Sequence, residues 1–236
     1  STASLGGALV ESGKDVLLVD LDPQASLTLA MGISPNQVRH SIVDLLLGDN
    51  NTVGISRETS LAGLDIIPAN NEMTLAERFL PIRKNYRYIL HNSLSQVTMY
   101  DVILIDCPPS TGAVTQNAIV AADLVIIPTQ PEYLSAYALR NMLALVQDIR
   151  NNHKPNLDYR VLVTMLDIRL NTHNYISEQL RSRLGDNVFK TNIQIDSKLR
   201  ECTIEGLPIT HFTPNSRGAE QYRKLAQELE LNVNTK

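Results

Sequence analysis

The sequence predicts a doubly wound α/β fold, a mainly parallel sheet flanked by helices. Three observations lead there. Five short apolar runs recur along the 236 residues, helical patterns separate them, and polar clusters close three of the runs. Continuous apolar runs belong to strands buried on both faces, hence to parallel sheet. Strand alternating with helix is the signature of βαβ units.

The elements follow in order. Ser1–Gly13 is rich in Ala, Leu and Gly, with Leu5, Leu9 and Val10 at helical spacing and Gly13 suited to a C-cap. The predicted strands are Val16–Asp20, Leu64–Pro68, Asp101–Asp106, Asp123–Pro128 and Tyr159–Thr164. Between and after them, Ala113–Ala121, Ser135–Arg150, Tyr175–Leu184 and Ala219–Leu229 read as helices, and Lys84–Met99 as a polar helix outside the sheet. There is no internal repeat, low-complexity segment or clear linker. With 43% hydrophobic residues the chain can bury one sizeable core, which fits a single domain over 1–236.

Composition excludes several classes. Cys107 and Cys202 have no neighbouring ligand residues, so neither a disulfide scaffold nor a clustered zinc site is expected. No apolar run approaches the length of a bilayer span, and no signal peptide is visible, so a reduced cytoplasmic compartment is the expectation. Residues 1–180 carry 12 basic and 18 acidic residues, whereas residues 181–236 carry 9 and 7. Contacts to a polyanion are therefore expected in the last quarter. A solvated face is the alternative.

The polar clusters at strand ends carry the chemistry. The first is Asp20-Leu21-Asp22-Pro23-Gln24, where Pro23 stops the strand; a solvated turn is the other reading. The second, Asp106-Cys107-Pro108-Pro109-Ser110, is an acid closing a buried strand, the Walker B pattern in which a carboxylate reaches toward a metal ion or its water shell. The third is Pro128-Thr129-Gln130-Pro131-Glu132-Tyr133. In folds of this class ligands gather outside the carboxyl ends of the strands.

Taken together, VLLVDLDPQASLT, DVILIDCPPSTGAVTQNAI, DLVIIPTQPEYLSAYAL and the distant SRGAEQY resemble the ParA/Soj-type chromosome and plasmid partition ATPases, a deviant-Walker P-loop family. The resemblance covers almost the whole chain. Its most specific part is DLDPQ followed about 85 residues later by DCPPS. The family's phosphate loop, of the form KGGxGK[ST]T, does not occur in these residues and is expected upstream of Ser1. The 236 residues alone are accordingly expected not to hydrolyse ATP appreciably.

The resemblance implies ATP and Mg²⁺ as cofactors, with Asp22 orienting or activating the attacking water. It likens Asp106 to the acid that holds Mg²⁺ through water, with Asp20 supporting the site. Pro108, Pro109 and Ser110 resemble the switch segment that senses the γ-phosphate. Met165 and Asp167 fall in a segment near the adenine and the dimer face; for Met165, core filling is the alternative. The family binds DNA without sequence preference as an ATP-bound homodimer on the nucleoid, and is stimulated by a ParB-like centromere-binding partner. Lys190, Lys198, Arg200 and Arg217 are the DNA-binding candidates, and structural ion pairing is the alternative for each. One departure stands out: Gln194-Ile195-Asp196 replaces the family's Pro-Arg-Asn. The competing readings are a non-enzymatic DNA-binding or scaffold relative without a phosphate loop, and a MinD-like positioning ATPase. The latter would need a basic amphipathic C-terminal helix at a membrane, whereas Lys224–Leu231 is short and acidic, so no membrane partner is expected.

Overall fold

The computed structural model describes residues 1–48, 52 and 54–233. Its strands are β1 (Val16–Asp20), β2 (Arg57–Glu58), β3 (Leu64–Ile67), β4 (Val102–Asp106), β5 (Leu124–Thr129) and β6 (Asp158–Val163). The helices are α1 (Thr2–Glu11), α2 (Ser26–Ala30), α3 (Ile42–Leu47), α4 (Met73–Phe79), α5 (Ile89–Leu94), α6 (Ala113–Ala121), α7 (Tyr133–Asn152), α8 (Asn171–Leu184), α9 (Lys198–Ile204), α10 (Ile209–Phe212) and α11 (Arg217–Val233). Each predicted strand is present with ends moved by one residue at most.

The strands form two sheets, in the orders β2-β3-β1-β4 and β5-β6. β1 runs parallel to β3 and β4, β5 parallel to β6, and only the two-residue β2 is antiparallel. β1 is the clearest case of strand chemistry. Val16, Leu17, Leu18 and Val19 are all fully buried, because β3 and β4 cover its edges and helices cover both faces. Successive side chains point to opposite faces. Leu17 and Val19, with Ile103 and Ile105 of β4, join a core under α3, α4, α5 and α6. Val16 and Leu18, with Val102 and Leu104, join a second core with α1, α9 and α11.

That second core also takes Leu124 and Ile126 of β5 and Leu162 of β6, so one layer of helices spans both sheets. A smaller cluster pairs Ile119 and Val120 of α6 with Val146 and Ile149 of α7, tying the sheets together on the other side. α1 sits close enough to do its part because of Gly7. A Cβ at that position would lie 2.4 Å from Cβ of Pro208 at the start of α10.

One expectation changes. Lys84–Met99 is not one outer polar helix: a 3-10 turn at Tyr86–Tyr88 leads into α5, which ends at Leu94. Leu90 and Leu94, one helical turn apart, both point into the first core, and the N–H of Leu90 donates to Oδ1 of Asn117 at 2.8 Å. The C-terminal helix packs as expected. Ala219, Tyr222, Leu225 and Ala226 of α11 are buried in the second core, so its apolar face is already occupied.

Candidate functional site

The parallel register places Asp20 of β1 directly opposite Asp106 of β4, at the carboxyl ends of both strands. Asp20 is fully buried and accepts three hydrogen bonds: from the N–H and hydroxyl of Thr28 at 2.8 and 2.7 Å and from the N–H of Asp22 at 3.1 Å. The Thr28 hydroxyl in turn accepts from the N–H of Ala69 just beyond β3. Burial pushes the Asp20 carboxyl up to about 6; the Thr28 and Asp22 donors oppose the shift, and the charge of Asp106 adds to it. Asp20 is thus a buried strut that braces α2 and the end of β3.

Asp106 is half-buried and receives the hydroxyl of Thr2, the first residue of α1, on Oδ1. Asp22 lies past the strand end. The N–H of Leu21 still bonds to the carbonyl of Asp106, after which the chain turns: Asp22 Oδ1 accepts from the N–H of Gln24 at 2.9 Å, and α2 begins after Ala25, whose φ is +50°. Among the described residues, Oδ2 of Asp22 and of Asp106 take no protein donor. Cys107 sits between the acids. Burial first, then the charges of Asp106, Asp22 and Asp20, push its thiol up to about 12, which keeps it protonated and inert. The three acids singled out from sequence therefore share one end of the sheet.

Pro108 is half-buried while Pro109 and Ser110 are exposed, in a tight turn where the N–H of Ser110 meets the carbonyl of Pro108 at 2.8 Å. The start of α6, just beyond, is capped from a distance. Glu77 of α4 accepts from the N–H groups of Ala113 at 2.8 Å and Val114 at 3.0 Å. Sequence reasoning missed Glu77; nothing in its local pattern points to a partner 36 residues away.

A second group forms at the end of β6. Met165 has φ +54° and stands outside the apolar clusters, so it does not fill the core. Asp167 is clamped by Arg169, Nε to Oδ1 at 2.9 Å and Nη2 to Oδ2 at 2.7 Å, and those bonds hold its carboxyl down at about 2. A β-bridge between Leu166 and Gln194 brings this segment beside Gln194–Asp196. Leu166, Asp167, Ile168, Arg169, Gln194, Ile195 and Arg217 line an open cavity of about 280 Å³. Arg217 donates to the carbonyl of Ile195. Lys198 pairs with Glu201, while Lys190 and Arg200 are exposed and have no ion pair among the described residues.

Residues 1–159 match the family model described as an AAA domain. Over 234 residues the chain is 38% identical to the sporulation initiation inhibitor protein Soj of Bacillus subtilis, covering 98% of this chain and 92% of that protein. The chain belongs to the ParA/MinD-type P-loop ATPase family.

Other relatives agree with the assignment. The chromosome partitioning protein ParA of Caulobacter vibrioides is 32% identical over 230 residues, covering 96% of this chain and 86% of that protein. Among solved structures, the fold superposes with a TM-score of 0.85 on a Mycobacterium smegmatis protein titled cobyrinic acid a,c-diamide synthase, solved with an ATP analog and magnesium; it is 32% identical, over 96% of this chain and 86% of that one. The septum site-determining protein MinD of Pyrococcus horikoshii, complexed with Mg-ADP, superposes at 0.77 with 27% identity, over 97% and 88% of the two chains. The strand-end acids and the segment after Asp106 thus sit on a P-loop ATPase fold.

Proposed function

We propose that this chain is the body of an ATP-dependent DNA-partition ATPase, a single domain over residues 1–236. The observation that carries the reading is the register-opposed pair Asp20 and Asp106 with Asp22 just beyond, in a chain 38% identical to Soj.

The acids divide the work. Among the described residues no three His, Cys, Asp or Glu side chains converge to cage a metal directly. Free oxygens on Asp106 and Asp22 beside a buried Asp20 suit instead an ion that keeps most of its waters and takes the rest of its ligands from phosphates, the habit of Mg²⁺. When bound, Mg²⁺ neutralises charge developing on the phosphate oxygens. Asp106 would hold it through water, and Asp20 would keep Asp106's strand end and α2 in register. Asp22, outside the buried ladder, has a free oxygen with which to orient the attacking water. Pro108–Ser110 would sense the γ-phosphate, and the segment Met165–Asp167 would face the adenine and the dimer partner.

The ATP-bound homodimer would bind DNA without sequence preference through Lys190, Lys198, Arg200 and Arg217, ride on the nucleoid in the cytoplasm, and release when a ParB-like partner stimulates hydrolysis. The buried apolar face of α11 weighs against a membrane anchor there, and among the described residues no helix is long and apolar enough to cross a membrane.

The test is Asp22→Ala in a chain preceded by the family's phosphate loop. A carboxylate that orients water contributes to the transition state more than to ground-state binding. ATP affinity and ATP-dependent dimer mass should stay, while kcat falls about a hundredfold or more. Wild-type turnover, or loss of ATP binding, would move the role away from Asp22.

A further inference from the structure

We infer that Glu77 is a positioning residue for phosphoryl transfer: it holds the start of α6, and through it the place of the Pro108–Ser110 segment. This rests on the ATPase reading above.

The first N–H groups of a helix have no partners within the helix. Usually a side chain at the N-cap supplies one. Here the N-cap is Gly112, and the acceptor comes from α4, with both carboxylate oxygens of Glu77 engaged at 2.8 and 3.0 Å. Bonds from N–H to an ionised carboxylate are the strong kind, and a negative charge suits a helix start. A Cβ at Gly112 would lie 1.5 Å from Oε1 of Glu77, so a larger residue there would push the carboxylate off this position. The glycine vacates the space that the carboxylate fills.

Only residues 107–111 separate Asp106 from Gly112, and two of them are prolines. The segment is therefore a short tether fixed at both ends, by the β1–β4 ladder at Asp106 and by Glu77 at Ala113 and Val114. Glu77 is itself well anchored. Met73, Ala76 and Leu80 are fully buried around it, and the N–H of Glu72 donates to Asn70 at 3.1 Å. Asn70 follows Ala69, whose N–H meets Thr28, whose hydroxyl meets Asp20. A closed circuit runs from Asp20 through α2, the end of β3, α4 and the start of α6 back to Asp106. Glu77 closes it across 36 residues, and it touches neither acid. Its effect on chemistry passes through the tether, where small misplacements of reacting groups cost rate.

The experiment uses Glu77→Ala and Glu77→Gln in the chain preceded by the phosphate loop. It reads kcat, KM, ATP affinity, Tm and amide exchange over residues 110–114. In E77A, kcat is expected to fall about tenfold or more with ATP affinity close to wild type. Exchange at Ala113 and Val114 should quicken, and ATP-dependent protection of residues 110–112 should vanish. E77Q should recover part of kcat, because one carbonyl oxygen still accepts. Wild-type kcat in E77A would overturn the inference. So would a parallel fall of Tm, affinity and kcat in both variants, which marks plain packing. If the wild type itself does not turn over, the ATPase reading fails. The exchange measurement then still decides: faster exchange at residues 113 and 114 with nothing altered at 110–112 refutes the positioning role.

Discussion

Burying Asp20 opposite Asp106 gives the fold a pH dependence of known sign. Folded Asp20 keeps its proton up to about pH 6, against an ordinary carboxyl value of 3.8. Between those values the folded chain binds more protons than the unfolded one, so this group's contribution is fully present below about pH 4 and is lost as pH rises to about 6. A difference of that size corresponds to about 3 kcal/mol. Denaturant titrations of Asp20→Asn and wild type from pH 4 to 7 should therefore show a flatter profile for the variant. An identical slope would mean that Asp20 is not held protonated. Thr28→Val tests the same strut from the donor side. It strips a hydroxyl that donates to Asp20 and accepts from the N–H of Ala69, with little change of volume. Leaving buried polar groups unpaired costs about 1–3 kcal/mol. The loss should be larger at pH 8 than at pH 5, because the ionised carboxylate needs the donor more. Equal losses at the two pH values would count against this account.

At the scale of the elements, the departure Gln194-Ile195-Asp196 finds a structural use. The N–H of Gln194 donates to Gln221 and the carbonyl of Ile195 accepts from Arg217. Asp196 accepts from the N–H of Lys198 at 3.0 Å and of Gly218 at 2.9 Å, so one carboxylate serves the first turns of α9 and α11. Capping bonds of this kind contribute about 1 kcal/mol each. Asp196→Ala should cost about 2 kcal/mol in chemical denaturation, and Asp196→Asn roughly half, since Asn keeps a single acceptor oxygen. A neutral Asp196→Ala would leave the added acid unexplained. The predicted elements came through where periodicity was strong, as in the identical bounds of Ala113–Ala121. The short α2, α3 and α4 escaped, because five to seven residues span too few turns to show a period.

For the whole molecule, charge placement ranks the proposed DNA contacts. Lys198 and Arg217 are engaged with Glu201 and the Ile195 carbonyl, whereas Lys190 and Arg200 are exposed without an ion pair among the described residues. Each phosphate contact releases counterions and steepens the fall of affinity with salt. In the loop-bearing, ATP-bound dimer, Lys190→Ala with Arg200→Ala should weaken binding to unrelated DNA sequences alike. The magnitude of the salt slope should drop by about 4, one per contact over the two protomers, with Tm unchanged. An unchanged slope would place the DNA elsewhere on the surface.

The sequence by itself determined the five parallel strands and the acids that end two of them. A strand buried on both faces must be locally apolar, and the acid or proline that stops it is its neighbour in the chain, so Val16–Asp20 and Asp101–Asp106 could be read where they stand. Only the tertiary structure decided that Asp20 faces Asp106, that Asp20 is a buried strut while Asp22 lies past the strand end, and that Glu77 holds α6 across 36 residues. It also split the strands into two sheets and turned Arg217 onto the carbonyl of Ile195, 22 residues away. Those facts depend on which distant segments pack side by side. Hydrogen bonds between such segments form only after the hydrophobic layers have closed, and no local pattern of residue types records them.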